Sequence, residues 1–66
     1  MEEPLNLLVE ALEMRGLSLE EMALVATLSH PLAILDMAEW VLNHPGAAMQ
    51  EMIKEKIRLI KQYELD

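Results

Sequence analysis

Apolar residues recur along the chain at steps of three and four, no segment alternates apolar with polar, and β-branched residues are few. That period belongs to helices and leaves no strand to be drawn. Punctuation divides the pattern into four segments. Pro4 fits the first turn of a helix, where its missing N–H has no intrahelical partner to lose. The run from Leu5 to Met14 then ends at Gly16, which can take the left-handed conformation just beyond a helix. Ser18-Leu19-Glu20-Glu21 is a capping-box sequence, the Ser18 hydroxyl accepting from the Glu21 N–H while the Glu21 carboxylate reaches back. It predicts a second helix over Leu19–Leu28. Ser29-His30-Pro31 stops that helix, because proline disfavours helical geometry at His30, and opens a third over Pro31–Leu42. Asn43-His44-Pro45-Gly46 repeats the punctuation before a fourth helix over Gly46–Tyr63. Loops of two to four residues make consecutive helices neighbours. The expected fold is all-α: a single all-helical domain over residues 1–66, a small compact bundle of about four short helices with tight Pro- and Gly-containing turns.

Projected at ~100° per residue, these helices differ in how much surface they must hide. The fourth is amphipathic, with Met49, Met52, Ile53, Ile57, Leu59, Ile60 and Tyr63 on one side. The second has no wide polar face and is expected at the centre. The third has only the narrow strip Asp36, Glu39 and Asn43, and the first only Asn6, Glu10 and Glu13. A chain this small buries about 60% of its unfolded surface. Three of the four apolar arcs are wider than one packing face requires, so a partner is expected to cover the excess. A second copy related by a two-fold axis is the simplest such partner, and a homodimer is the favoured oligomer. Candidate interface residues are Ile34, Met37, Trp40 and Val41 on the third helix, Leu7 and Met14 on the first, and Lys56 on the fourth. Trp40 stands out because tryptophan is enriched among residues that dominate binding, although a core tryptophan fits the pattern equally well. Lys56 projects into an apolar arc. Either its stem lies along that surface with the ammonium in water, or it pairs with Asp36 or Glu39, within the chain or across a dimer.

Charge and composition narrow the function. The 66 residues carry a net charge of −7, and 53% of them are apolar, too many for a disordered chain. Residues 1–53 hold nine acids against Arg15 alone, whereas Lys54, Lys56, Arg58 and Lys61 make the C-terminal stretch mildly basic. Bases late in a last helix match the helix dipole. A chain so acidic is not expected to take nucleic acid as its main partner; a basic surface on another protein suits it better. No uncharged apolar run approaches the roughly 18 residues of a membrane span, so no membrane association is expected. The start Met1-Glu2-Glu3-Pro4 is acidic where a secretory signal is basic, and a cytoplasmic location is expected.

Reactive constellations are sparse. The absence of cysteine excludes a disulfide scaffold, a thiolate zinc site and a cysteine nucleophile. His30 and His44 each precede a proline at a helix boundary, where capping accounts for them, and neither H-x-x-x-H nor E-x-x-H occurs. Ser18, Thr27 and Ser29 also sit at helix ends. Gly16 and Gly46 are isolated, so there is no glycine-rich phosphate cradle. The acidic pairs Glu2-Glu3, Glu10 with Glu13, and Asp36 with Glu39 read as solvated faces. No enzymatic activity, cofactor or metal is expected.

Two resemblances add to this. Residues 17–42, from Leu17-Ser18-Leu19-Glu20-Glu21 through Ser29-His30-Pro31, look like a helix-turn-helix core: a capped helix containing the small Ala23, a short turn, and a following helix. The likeness implies a transcription-related protein whose second helix enters the major groove. Here that helix, Pro31–Leu42, carries Asp36 and Glu39 and neither Lys nor Arg. Such a protein would touch DNA through the basic end of its last helix, or belong to relatives without DNA binding. Gly16-Leu17-Ser18-Leu19-Glu20 is similar to the Gly-x-Asp-Ser-Leu motif of acyl carrier proteins, whose serine carries phosphopantetheine, with Leu17 where that motif has aspartate. The expected function is a non-catalytic acidic helical protein–protein interaction module of regulator or adaptor type that self-associates. The alternative is the helix-turn-helix protein, binding DNA weakly or no longer binding it.

Overall fold

The computed structural model describes residues 3–65, so Met1, Glu2 and Asp66, including one member of the Glu2-Glu3 pair, lie outside the described residues. Four helices follow one another: α1 (Pro4–Met14), α2 (Leu19–Val25), α3 (Pro31–Asn43) and α4 (Met49–Tyr63), with no strand among the described residues. Their starts obey the local chemistry. Pro4 and Pro31 occupy first turns. The Ser18 hydroxyl accepts from the Glu21 N–H at 3.2 Å, and the Glu21 carboxylate accepts from the Ser18 N–H at 2.9 Å. His30 caps α3 by accepting the Leu32 N–H on Nδ1 at 3.1 Å. Gly16 closes the first turn at φ +75°, a conformation that β-carbons penalise.

α3 runs one residue past the expected Leu42, and two helix limits differ from those the sequence predicts by three residues each. α2 ends at Val25 rather than Leu28: the Thr27 hydroxyl takes the Ala23 carbonyl, and the Leu28 N–H turns back to Ala26. α4 begins at Met49 rather than Gly46. Ala48 lacks a capping hydroxyl, and only the returning half of a capping box forms, its N–H donating to Glu51 at 3.2 Å. The connections are accordingly four to five residues long.

The centre of the fold is α3, not α2. α1 packs along α3, while α4 packs on α3 and on α2. Ala11 of α1 and Ala33 and Ala38 of α3 are all buried in the core, and such small side chains allow helices to approach closely. α2, only seven residues long, buries Val25 and leaves Leu19, Ala23 and Leu24 exposed. It rests on α4 and on one end of α1, and does not pack against α3. The helix-on-helix contact that defines a helix-turn-helix core is therefore missing between residues 17 and 42.

Three expected interface residues, Met37, Val41 and Ile34, belong to this core, the first two essentially inaccessible and Ile34 only 8% exposed. α3 is apolar on both sides, and the side bearing these residues is the one that α1 and α4 cover. The Cα radius of gyration, 10.7 Å, matches the value of about 11 Å for a compact chain of this length, so compactness itself needs no partner.

Candidate functional site

Long-range polar contacts hold the helices in place, and most use backbone groups. Arg15, just past the end of α1, donates to the carbonyls of His44 at 3.2 Å and Ala47 at 2.6 Å, setting the C-terminal ends of α1 and α3 side by side. Glu64, just past α4, accepts from the backbone N–H groups of Ser29 at 2.8 Å and His30 at 3.1 Å. Tyr63 donates its hydroxyl to Asp36 at 2.7 Å, and its ring lies 5.4 Å from that of His30. The end of α4 is thus fastened to the start of α3, and the two helices run antiparallel. Lys56 reaches neither Asp36 nor Glu39. It donates at 2.7 Å to the carbonyl of Leu24 in the last turn of α2, where an orphan acceptor and the negative end of the dipole favour an ammonium.

These bonds shift ionisation. The His30 and then the Ser29 N–H groups stabilise the Glu64 carboxylate and lower its pKa from the ordinary value of 4.5. The hydrogen bond to Asp36, followed by desolvation, raises the Tyr63 phenol above its ordinary value. Arg58 is made more basic, first by its hydrogen bond to Glu55 and then by that carboxylate's charge.

A depressed carboxylate pKa contributes stability that is fully present above the unfolded-state pKa and disappears as pH falls through the folded one. Glu64→Gln should therefore lower the urea midpoint at pH 7, and the gap from wild type should narrow steadily below about pH 5 as the wild-type carboxylate protonates. A gap of equal size at pH 7 and pH 3 would show that the charge of Glu64 plays no part in this contact.

Between α3 and α4 lies a half-open depression of about 250 Å³, lined by Asp36, Glu39, Trp40, Asn43 and His44 on one side and Glu55 and Arg58 on the other. Its volume falls below the roughly 300–1,000 Å³ of typical ligand sites. Several of its polar groups are engaged in structure. Asp36 accepts from Tyr63, and Arg58 donates to both Glu55 oxygens and to Gln62. The His44 ring stacks on Trp40 with centroids 4.3 Å apart, and its Nδ1–H donates to the Trp40 carbonyl at 2.8 Å. Trp40 itself is half-buried and packs against the core. Among the described residues, no group of three or more His, Asp or Glu is placed to hold a metal ion. None of the described helices is long and apolar enough to cross a membrane.

Apart from this depression, the surface is distinguished by its apolar side chains. Leu5, Met14, Leu19, Leu24, Leu32, Leu35, Leu42, Ile57 and Leu65 are all exposed, with Met14 at 79% and Leu19 at 82%. Of the expected interface residues, Met14 is among them; Leu7 is half-buried against the core, and Lys56 is occupied within the chain. The leucines of α3 were not singled out in the sequence. Their signal was the spacing Leu32, Leu35, Glu39, Leu42, three-four-three, which places one stripe along a helix. Comparison with protein-family models, curated proteins and solved structures finds no match to this chain.

Proposed function

We propose that this chain is a non-catalytic, acidic helical module of regulator or adaptor type, which acts by binding proteins, its own copies included. One observation carries the reading. Around a core that is already apolar, nine large apolar side chains among the described residues remain exposed, on all four helices and beyond the last. A monomer rarely leaves so much greasy surface in water. The net charge of −7 keeps such a surface soluble and favours a basic region on a foreign partner. A cytoplasmic setting fits a chain without cysteine.

Light scattering tests the self-association. The apparent mass is expected to rise with concentration from 7.5 kDa towards twice that value. A strict 7.5 kDa particle at millimolar concentration would remove the self-associating part of the proposal. A pull-down from native lysate with the immobilised chain tests the rest, and recovery of no protein would remove it.

A further inference from the structure

One side of the α1–α3 pair is apolar and uncovered. The two helices run parallel, because Arg15, just past α1, donates to the carbonyl of His44, 29 residues on, at the end of α3. Leu7 with Leu35, and Met14 with Leu42, keep that offset to within one residue, so each pair lies at one height. At ~100° per residue around α3 from the inaccessible Met37, Trp40 and Asp36 lie on one hand, where Asp36 meets Tyr63 of α4. On the other hand lie the buried Val41, Ile34 and Ala38, which α1 covers, and beyond them Leu42 and Leu35. Between parallel helices the same side is reached on α1 by turning the opposite way, from Leu8 past the buried Ala11 to Leu7 and Met14. Met14 is 79% exposed, Leu42 56% and Leu35 39%, while Leu7 is half-buried. Ala11 and Ala38 are the small residues along the seam between these four larger side chains, and they make it a groove.

We propose that this groove takes one amphipathic helix of a partner protein, whose apolar stripe is flanked by Lys and Arg. This rests on the reading of the chain as a protein-binding module, and it names the face and the partner's chemistry. A helix docked in this way anchors itself by apolar side chains three, four and seven positions apart. Here the large residues on each wall stand seven positions apart, or about 10.5 Å, which is the span of two helical turns. Charge selects the partner. α1 and α3 together hold Glu10, Glu13, Asp36 and Glu39, and neither Lys nor Arg. Glu39 is exposed on the rim itself, between Leu35 and Leu42 along the stripe. The adjoining Arg15 is engaged by the carbonyls of His44 and Ala47. A second copy meeting this face through its own would set acid against acid, whereas a basic helix brings opposite charge to the rim.

Fluorescence anisotropy on the whole chain tests this with a labelled helical peptide of leucine and lysine, about four turns long, and its counterpart with glutamate for lysine. The lysine peptide should bind at least tenfold more tightly than the glutamate one. Met14→Ser and Leu42→Ser should each weaken it roughly tenfold, while Leu19→Ser, at an exposed leucine of α2 outside the groove, should stay within about twofold. Glu39→Lys should weaken it about fivefold and Glu20→Lys, the same change of net charge on α2, less than about twofold. Equal losses in the two lysine variants would mean that overall charge is read, and would overturn the proposal. Loss with Leu19→Ser alone would place binding on another face and overturn it too, while leaving the protein-binding module intact. So would a wild-type dimer, seen by sedimentation without peptide, that dissociates with Leu42→Ser, since a second copy would then cover the groove. Failure of the lysine peptide to bind at millimolar concentration would overturn the groove, and an empty lysate pull-down besides would overturn the binding of other proteins as well.

Discussion

Met37→Ala is expected to remove a large part of the protein's stability and to move its urea midpoint sharply downward. Met37 sits in the middle of α3, inaccessible to water, where α1 closes on one side and α4 on the other. Truncating a buried methionine to alanine costs about 2–5 kcal/mol, through lost transfer energy and the cavity left behind. A domain of this size has only about 3–10 kcal/mol to lose, at 0.05–0.15 kcal/mol per residue. Met37→Leu keeps the volume and should cost less than about 1.5 kcal/mol. Met14→Ala, at a side chain 79% exposed, should leave the transition almost where it was. Urea titrations followed by circular dichroism check all three. A Met37→Ala chain with a wild-type midpoint would mean that α3 is not the hub of the core.

Chemistry that acts within a few residues was legible in the sequence. Pro4, Ser18 with Glu21, His30-Pro31 and Gly16 determine where helices start or turn through bonds or steric limits among near neighbours, and each sits where those rules require. The C-terminal end of α2 and the start of α4 were less legible. Ala26 and Ala47-Ala48 suit a helix as well as a turn, and contacts elsewhere decide between them. Burial followed the same division. On α4 a broad polar face marks the opposite side as buried, and Met52 and Leu59 lie there. α3 has no such contrast. Its Ile34, Met37 and Val41 are buried and its Leu32, Leu35 and Leu42 exposed, yet all six are apolar, and only the place of Glu39 within the stripe of leucines tells the two sets apart. α2 is apolar on all sides yet peripheral, because two turns of helix offer too little surface to serve as a hub. The contacts of Arg15, Lys56 and Glu64 were beyond reach altogether. Each reaches backbone groups about thirty residues away, and a backbone carbonyl or N–H leaves no trace in residue identity.

Arg15→Met should be the most damaging change at a charged position. The guanidinium bridges the end of α1 to two carbonyls of the α3–α4 connection, and Ala47 beside it is buried. A hydrogen bond from a charged donor contributes about 1.5–3 kcal/mol to stability when its partner is shielded from water. The two acceptors are not equivalent. The His44 carbonyl also receives the Ala47 N–H at 3.0 Å and lies in a more exposed contact, so most of the loss comes from Ala47. Methionine retains an unbranched apolar stem, so the variant isolates the polar loss from the packing loss. A total cost of about 1–3 kcal/mol is expected. Arg15→Lys should recover only part of it, since an ammonium cannot span both carbonyls with the fixed fork of a guanidinium. Hydrogen exchange should show where the damage falls, with amides of the α3–α4 connection exchanging faster while the centre of α3 follows global stability. Equal stability in Arg15→Met and wild type would show that this guanidinium bridge is not part of what holds α1 to the end of α3.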